Sequence, residues 1–427
     1  MKDVAVSTVT DSTAVLPNLS TIIRGLLYVY IFSLPFKGLL FIERNGFIIL
    51  VVLLLLWCAV NQRHFFTQTP IDIPLVAFVA WVALTIPFAA FPVYSAKEFA
   101  KLLQQGLIFY VVAYFFQDKL CRTRLLAVLM GAIYIISVYG LFEFKDLIGA
   151  RPPDVDLLYV TSFMGAEVWL TTYLVMLIPL SFALSLFDER LWARRCSAGA
   201  TGLAVGCLLA TFSRAGALAL LCELWVLGWL TRRKVVFMTA TAVSLFVIVI
   251  GTLLIQHSPT PTIPGTTVPG VKATEDSLKH RLDIWTFTTG RIFDHPILGI
   301  GYGKDNFLLV YGQSPNEEVQ PGHLPVLQAG THNTFLDIAL GTGVPGLLLF
   351  VWLLHRIVFS AITAFQQTSV PLDKAVSLGV SVSVIGMVVR LCFDHMLIGT
   401  LAILFWILVA MAMLAHSTAN RTQVQRA

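Results

Sequence analysis

The sequence predicts an all-α integral membrane protein with about twelve transmembrane helices and a large external loop between helices nine and ten. Three observations support this class: the chain is 57% hydrophobic, only 12% of its residues are charged, and long apolar stretches recur along it. A soluble globular domain carries about 25% charged residues, so a water-soluble fold is excluded. Because a bilayer core offers no water to backbone groups, each spanning stretch is expected to be a helix.

Twelve apolar stretches are long enough, at about 20 residues each, to cross a bilayer. They are centred near residues 28, 53, 82, 109, 135, 176, 204, 223, 245, 352, 384 and 406. The polar first twenty residues lack the basic start and apolar core of a cleaved signal peptide, so the first span is expected to remain as an anchor. We find no internal repeat and expect one polytopic domain, residues 1–427.

The distribution of basic residues sets the expected orientation. With twelve spans both termini share one face, and sixteen lysines and arginines fall on that face. The other face has eight, besides five in the long external loop, where the rule does not count reliably. Because short cytoplasmic loops carry the excess of basic residues, both termini are predicted to be cytoplasmic. The net charge of +5 then reflects topology signals that face anionic lipid, and no nucleic-acid partner is implied.

The external loop, residues 256–332, changes character along its length. It opens with a linker rich in proline, threonine and glycine, and then the spacing predicts an amphipathic helix over 274–293. That helix would carry four apolar residues at helical spacing, Leu278, Leu282, Trp285 and Ile292. The glycines at 299, 301 and 303 lack the spacing of a nucleotide loop and follow no strand, so they predict a flexible turn.

The apolar run after the loop is interrupted by GTGVPG at residues 341–346. This pattern predicts a short helix, a glycine break, and then the span proper from Pro345 onward. A broken helix at membrane depth usually lines a cavity. We therefore expect the preceding residues to face a site.

His332 stands immediately before this broken helix, and it is the candidate general base. Thr331 and Asn333 can cap the helix, and the positive end of a helix favours the neutral, basic form of an imidazole. The alternative is a histidine that is simply a satisfied polar residue at a helix end.

Two arginines also lie where the chain is otherwise apolar. Arg214 occupies the tight turn TFSRAG between spans seven and eight, and Arg281 lies beside the apolar stripe of the amphipathic helix. Ionisable residues near membrane depth tend to be functional. The alternatives are that Arg214 snorkels at the end of a span and that Arg281 belongs to an ordinary polar helix face.

Several further charged residues are possible supporting residues on the external side. Arg390 and Asp394 are about one helical turn apart near the end of span eleven, where they could pair with each other or form a wall of the site. Lys97 and Lys101 share one helix face, where they could snorkel or bind a phosphorylated membrane lipid. Arg151, in another external loop, completes the set.

Neither a metal site nor a cofactor is predicted. Asp154 and Asp156 form a DxD pattern, with which many glycosyltransferases hold a divalent cation. Prolines precede this pair and no second acidic cluster stands at a suitable spacing, so we interpret it as a solvated turn. The six cysteines lack CxxC spacing and lie in spans or short connections, which indicates neither zinc ligation nor a disulfide framework.

Three motifs in this order resemble the signature of the bacterial O-antigen ligase and polymerase superfamily: SRAG at 213–216, HRLDIWTF with HPILGIGYGKDNF within 280–307, and THNTFLDIALGTGVPG at 331–346. The close matches cover about 50 residues, and the architecture is similar over most of the chain. The resemblance implies a GT-C-like, twelve-helix glycosyltransferase of the bacterial inner membrane with a late periplasmic loop. It also implies that Arg214 and Arg281 grip a pyrophosphate and that His332 is the essential histidine.

By this resemblance, the expected enzyme is an inverting, metal-independent O-antigen ligase. It would transfer a glycan from undecaprenyl pyrophosphate to a sugar hydroxyl of the lipid A core at the periplasmic face. An O-antigen polymerase or a protein O-oligosaccharyltransferase would share the donor and the catalytic groups, and both alternatives stay open. A flippase would require charged residues near the middle of several spans and a twofold repeat, neither of which the sequence has.

Overall fold

The computed structural model describes residues 16–149, 160–242, 244–245, 269–312 and 330–424. Within these ranges the chain forms helices and turns, and it contains no strand. Eight helices precede the external loop: α1 Leu16–Ser33, α2 Leu40–Asn61, α3 Asp72–Thr85, α4 Pro92–Phe115, α5 Lys119–Gly149, α6 Glu167–Phe187, α7 Leu191–Ala210 and α8 Arg214–Thr231. A further helix, α9, covers residues 234–242. The remaining helices are α10 Pro269–Asp294, α11 Asn306–Tyr311, α12 Thr334–Gln367, α13 Pro371–Leu391 and α14 Gly399–Val424.

The helices fall where the apolar stretches predicted them. Every predicted centre falls on helical residues; near 245 these are residues 244 and 245, and the segment that follows lies outside the described residues. Seven of the described helices are long and apolar enough to cross a membrane, and two shorter apolar helices accompany them. These are the features of a multi-pass membrane protein, whereas the count of twelve spans stays a prediction.

The core of the bundle is formed by α6, α13 and α14. Helix α13 runs antiparallel to α6: Gly379 lies against Leu180, and the hydroxyl of Ser383 donates to the carbonyl of Met176 at 2.6 Å. Glycine and serine allow two backbones to approach closely, which is the usual device for packing helices in a membrane.

The helix ends lie at two opposite ends of the bundle, and each end has its own polar contacts. We call the end where α6, α8 and α14 begin and α13 finishes the site end. At the opposite end, Arg122 of α5 and Asp373 of α13 form a buried ion pair, with Nη1 2.5 Å from Oδ1. The predicted functional residues are therefore separated from this pair by the length of the bundle.

The amphipathic helix is present as α10, but its predicted apolar stripe is wrong at one position. Leu282 is 57% exposed, whereas Ile284, Thr288 and Ile292 are buried. These three residues recur every four positions and face the short helix α11 and the start of α12. The buried face of α10 therefore overlaps the predicted stripe at Ile292 but is rotated enough to leave Leu282 outside it.

The predicted break in α12 is confirmed. Gly343 has φ of 73° and ψ of 176°, a conformation that is open essentially to glycine alone, and Pro345 begins the span proper. Backbone carbonyls freed by such a break need new donors.

The glycine segment at 295–303 supplies those donors. The amide of Ile300 donates to Leu340 at 2.9 Å, and the amide of Gly301 donates to Gly341 at 2.9 Å. In return, the amide of Val344 donates to Pro296 at 2.8 Å. The segment is therefore packed backbone that fastens the break, and the prediction of a flexible turn is wrong.

Candidate functional site

His332 lies in the short turn between the loop and α12, with its side chain 36% exposed. Its Nδ1 is 3.1 Å from Oδ1 of Asp394, in the turn after α13. Its backbone has φ of 49°, a left-handed conformation that side-chain-bearing residues rarely adopt. Since Nδ1 is engaged by a carboxylate, Nε2 is the nitrogen left to exchange a proton with a substrate.

Asp394 joins the predicted residues together. Its carboxylate also lies 3.9 Å from Nη2 of Arg281 and 3.5 Å from Nη2 of Arg390. The pairing of Arg390 with Asp394 that the sequence suggested is confirmed, but it is only one of three contacts made by this carboxylate. One aspartate therefore connects two guanidinium groups and the imidazole.

Arg281 attaches α10 to the turn after α13. Its Nη1 donates to the carbonyl of Phe393 at 2.6 Å, next to its contact with Asp394. The arginine side chain remains 27% exposed, so part of its guanidinium faces outward. Helix α10, which is part of the external loop, thus places the guanidinium of Arg281 near His332.

Arg390 is held inside the protein, with only 1% of its surface exposed. Its Nε donates to the hydroxyl of Thr172 at 3.2 Å, and Glu167 at the start of α6 lies close enough to interact with its charge. A buried guanidinium needs such partners. Arg390 therefore acts as an internal counter-charge to Asp394.

Arg214 lies at the same end of the bundle but apart from this cluster. It begins α8, where the Ser213 side chain caps the helix by accepting from the amide of Gly216 at 3.3 Å. Gly216 abuts Thr171, which directly precedes the threonine bound to Arg390. Arg214 is exposed and makes no ion pair or side-chain hydrogen bond with the described residues. Among the described residues, no hydrogen bond or ion pair joins Arg214 to Arg281 or His332.

The remaining supporting residues have different outcomes. Asn333 is the cap of α12, since its Oδ1 accepts from the amides of Phe335 at 2.9 Å and Leu336 at 3.2 Å. Lys97 is exposed, and Lys101 pairs with Glu98 at 2.5 Å. Among the described residues, neither lysine contacts His332 or Arg281.

Lys101 lies at a separate cavity from the cluster around Asp394. Lys101 lines a cavity of about 380 Å³ together with Glu43 and Arg44. The predicted supporting residue Arg151 and the DxD pair at Asp154 and Asp156 lie outside the described residues.

A second pair of polar residues, which the sequence did not predict, lies beside the pair of His332 and Asp394. Nδ1 of His395 lies 2.5 Å from Oδ2 of Asp337, and the hydroxyl of Thr331 donates to Oδ1 of the same carboxylate at 2.5 Å. The available signal was an aspartate five residues after His332 inside an apolar run. The second signal was the Asp-His dipeptide at 394–395.

Burial also affects the one thiol beside the cluster. It raises the pKa of Cys392, which lies two residues before Asp394, because a thiolate is poorly solvated there. This thiol therefore stays protonated and is a poor nucleophile. The groups able to do chemistry here are the imidazole and the guanidinium groups.

The cluster combines a base with cationic groups. Two arginines hold positive charge around one carboxylate, and that carboxylate orients an imidazole whose other nitrogen has no hydrogen-bond partner among the described residues. Such a site can bind an anionic group and accept a proton from a neighbouring hydroxyl.

Residues 199–351 match the family model described as O-Antigen ligase, which confirms the resemblance seen in the sequence. Proteins named "Putative polysaccharide ligase" are similar to this chain in Rickettsia prowazekii (34% identical over 84 residues), Rickettsia conorii (34% over 84) and Rickettsia typhi (36% over 86). Each alignment covers 20% of this chain and 20% of the relative, so the chain matches about a fifth of the relatives' length. The matched family range contains Arg214, Arg281 and His332, whereas Asp394 and His395 lie beyond it.

Proposed function

Starting from this match of residues 199–351 to the O-antigen ligase family, we propose that the protein is an inverting membrane glycosyltransferase. It transfers O-antigen glycan from undecaprenyl pyrophosphate to a sugar hydroxyl of the lipid A core. The reaction takes place at the periplasmic face of the bacterial inner membrane, in a GT-C-like bundle of twelve spans. The excess of basic residues on the opposite face supports this orientation, with both termini in the cytoplasm.

One set of contacts carries the proposal: Asp394 holds the imidazole of His332 at 3.1 Å and the guanidinium of Arg281 at 3.9 Å. A base and a cation that share one carboxylate can act on the same glycosidic bond. The base faces the acceptor hydroxyl, and the cation faces the departing diphosphate.

The leaving group sets the electrostatic requirement. As the bond between the anomeric carbon and the phosphate oxygen breaks, the electron pair and the negative charge move onto the diphosphate. Guanidinium groups stabilise that charge more in the transition state than in the ground state. We assign this role to Arg281 and to the exposed Arg214, and together they can do the work that a divalent cation does elsewhere.

The acceptor hydroxyl sets the second requirement. As its oxygen attacks the anomeric carbon, its proton passes to Nε2 of His332, and Asp394 stabilises the resulting imidazolium. General-base catalysis of this kind contributes about 10²- to 10⁴-fold. Attack from the face opposite the leaving diphosphate inverts the configuration at that carbon.

Reconstitution tests this proposal directly. We expect purified protein with lipid-linked glycan and rough lipopolysaccharide to yield ligated product in the presence of EDTA, and we expect His332→Ala to lose it. Loss of activity in EDTA would show that the reaction needs a metal ion, for which Asp154 and Asp156 would be the candidate ligands. Movement of the lipid carrier across the bilayer without bond cleavage would show a flippase instead.

Related transferases remain the second candidates. A polymerase would extend the same lipid-linked glycan, and a protein O-oligosaccharyltransferase would use a serine or threonine hydroxyl. The similarity to proteins named polysaccharide ligase favours the ligase. Offering all three acceptors to the reconstituted protein separates these reactions, because only the acceptor differs among them.

A further inference from the structure

A second pair of histidine and aspartate lies beside the proposed base, and the proposed reaction does not use it. Nδ1 of His395 is 2.5 Å from Oδ2 of Asp337, whose side chain is buried on the first turn of α12. A buried carboxylate needs partners for both of its oxygens. The hydroxyl of Thr331 fills the other position, 2.5 Å from Oδ1.

The two pairs are linked through the chain into a closed ring. His395 directly follows Asp394, which holds His332, and Thr331 directly precedes His332. The ring therefore runs from His332 to Asp394, along one peptide bond to His395, across to Asp337, across to Thr331, and back along one peptide bond. The hydroxyl of Thr334 adds a further tie by donating to the carbonyl of Asp394 at 2.9 Å.

The conformation of His332 explains why such a ring is needed. A left-handed φ costs about 1–2 kcal/mol for a residue with a side chain, so it persists only where the surroundings hold it. Thr331 is the holding point: its carbonyl accepts from the indole N–H of Trp285 at 3.0 Å, and its hydroxyl accepts from the amide of Asn333 at 3.3 Å. Asp337 fixes that same hydroxyl.

We infer that Asp337 and His395 are positioning residues that set the orientation of His332. As a carboxylate, Asp337 accepts from both His395 and Thr331, and it thereby keeps the turn at 330–333 in register with the turn at 392–398. Neither residue touches the substrate in this arrangement. The role in catalysis rests on the proposed function, whereas the orientation of His332 can be measured without it.

The test compares three substitutions. His395→Leu and Asp337→Asn each break the ring, while His395→Asn keeps an amide donor near the position of Nδ1. An exposed histidine farther along α12, His355, supplies the control His355→Leu. All variants are compared as monodisperse protein with thermal unfolding midpoints close to that of the wild type.

Each variant is measured for its steady-state kinetics and for the rate of chemical modification of His332. We expect His395→Leu and Asp337→Asn to lower kcat by about 10- to 100-fold with KM for the lipid-linked donor nearly unchanged, since a misplaced base costs about that much. We expect the rate at which diethyl pyrocarbonate modifies His332, followed by peptide mass spectrometry, to change in the same variants. His395→Asn should keep most of kcat, and His355→Leu should match the wild type in both readouts.

Each possible failure has its own meaning. Wild-type kcat and wild-type reactivity of His332 in His395→Leu would overturn the inference. An inactive His395→Asn with unchanged reactivity of His332 would also overturn it, because the imidazole itself would then be required. If the wild type transfers no glycan, the proposed function fails, while the modification rates still decide whether the ring orients His332.

Discussion

Oδ1 of Asp394 lies 3.1 Å from Nδ1 of His332, although the two residues are 62 positions apart in the chain. This contact joins the turn before α12 to the turn after α13. Within the described part of the chain it leaves the second imidazole nitrogen without a partner, and it places the guanidinium of Arg281 on the same carboxylate.

Asp394→Asn is expected to lower the rate of transfer by at least about 10²-fold, because the amide cannot stabilise an imidazolium on His332. It also leaves the buried Arg390 without its carboxylate, so the melting temperature should fall. Initial rates and thermal unfolding check both effects. Asp283→Asn, on the exposed face of α10, is the matched control. Rates equal to wild type in Asp394→Asn would remove this carboxylate from the mechanism.

Arg214→Ala and Arg281→Ala are each expected to lower kcat/KM for the lipid-linked donor by about 10- to 100-fold, which corresponds to about 1.5–3 kcal/mol for a hydrogen bond to a charged group. Their effects on stability should differ. Arg214 is exposed and makes no ion pair or side-chain hydrogen bond with the described residues, whereas Arg281 donates to Phe393. Only Arg281→Ala should lower the melting temperature. Lys279→Ala, which removes an exposed cation from the same helix, should change neither quantity.

Gly343→Ala is expected to destabilise the protein by about 2–4 kcal/mol, because the added Cβ would overlap the carbonyl of Ile297 and φ is 73°. Gly290→Ala is the control: it lies on α10 with no atom within 4 Å of the added carbon, and it should be neutral or slightly stabilising. Thermal unfolding in detergent measures both. Equal stability of the two variants would mean that the glycine segment does not fasten the break in α12.

Arg122→Met is expected to destabilise the protein by about 3–5 kcal/mol, because it leaves the buried carboxylate of Asp373 unpaired. Adding Asp373→Leu should restore most of that loss, since removing both charges relieves the burial penalty. The pair lies at the end of the bundle opposite His332, so the double variant should keep its transfer rate. A double variant no more stable than Arg122→Met would show that the unpaired carboxylate is not the cause of the loss.

The sequence by itself determined the helical class, the position of most helices and the break at Gly343. These features are local, since apolar length, glycine and proline act on the residues beside them. It also identified His332 and Arg281 as candidate functional residues, and Arg390 and Asp394 as a pair that could bond to each other or form a wall of the site.

Only the tertiary structure decided how these residues meet. No local pattern places Asp394 against both His332 and Arg281, because the three residues come from three separate segments brought together by the packing of α10, α12 and α13. The same packing pairs Asp337 with His395 and turns Ile284 inward in place of Leu282. Hydrophobic periodicity fixes which residues can be buried, but the partner that covers a helix determines which of them are.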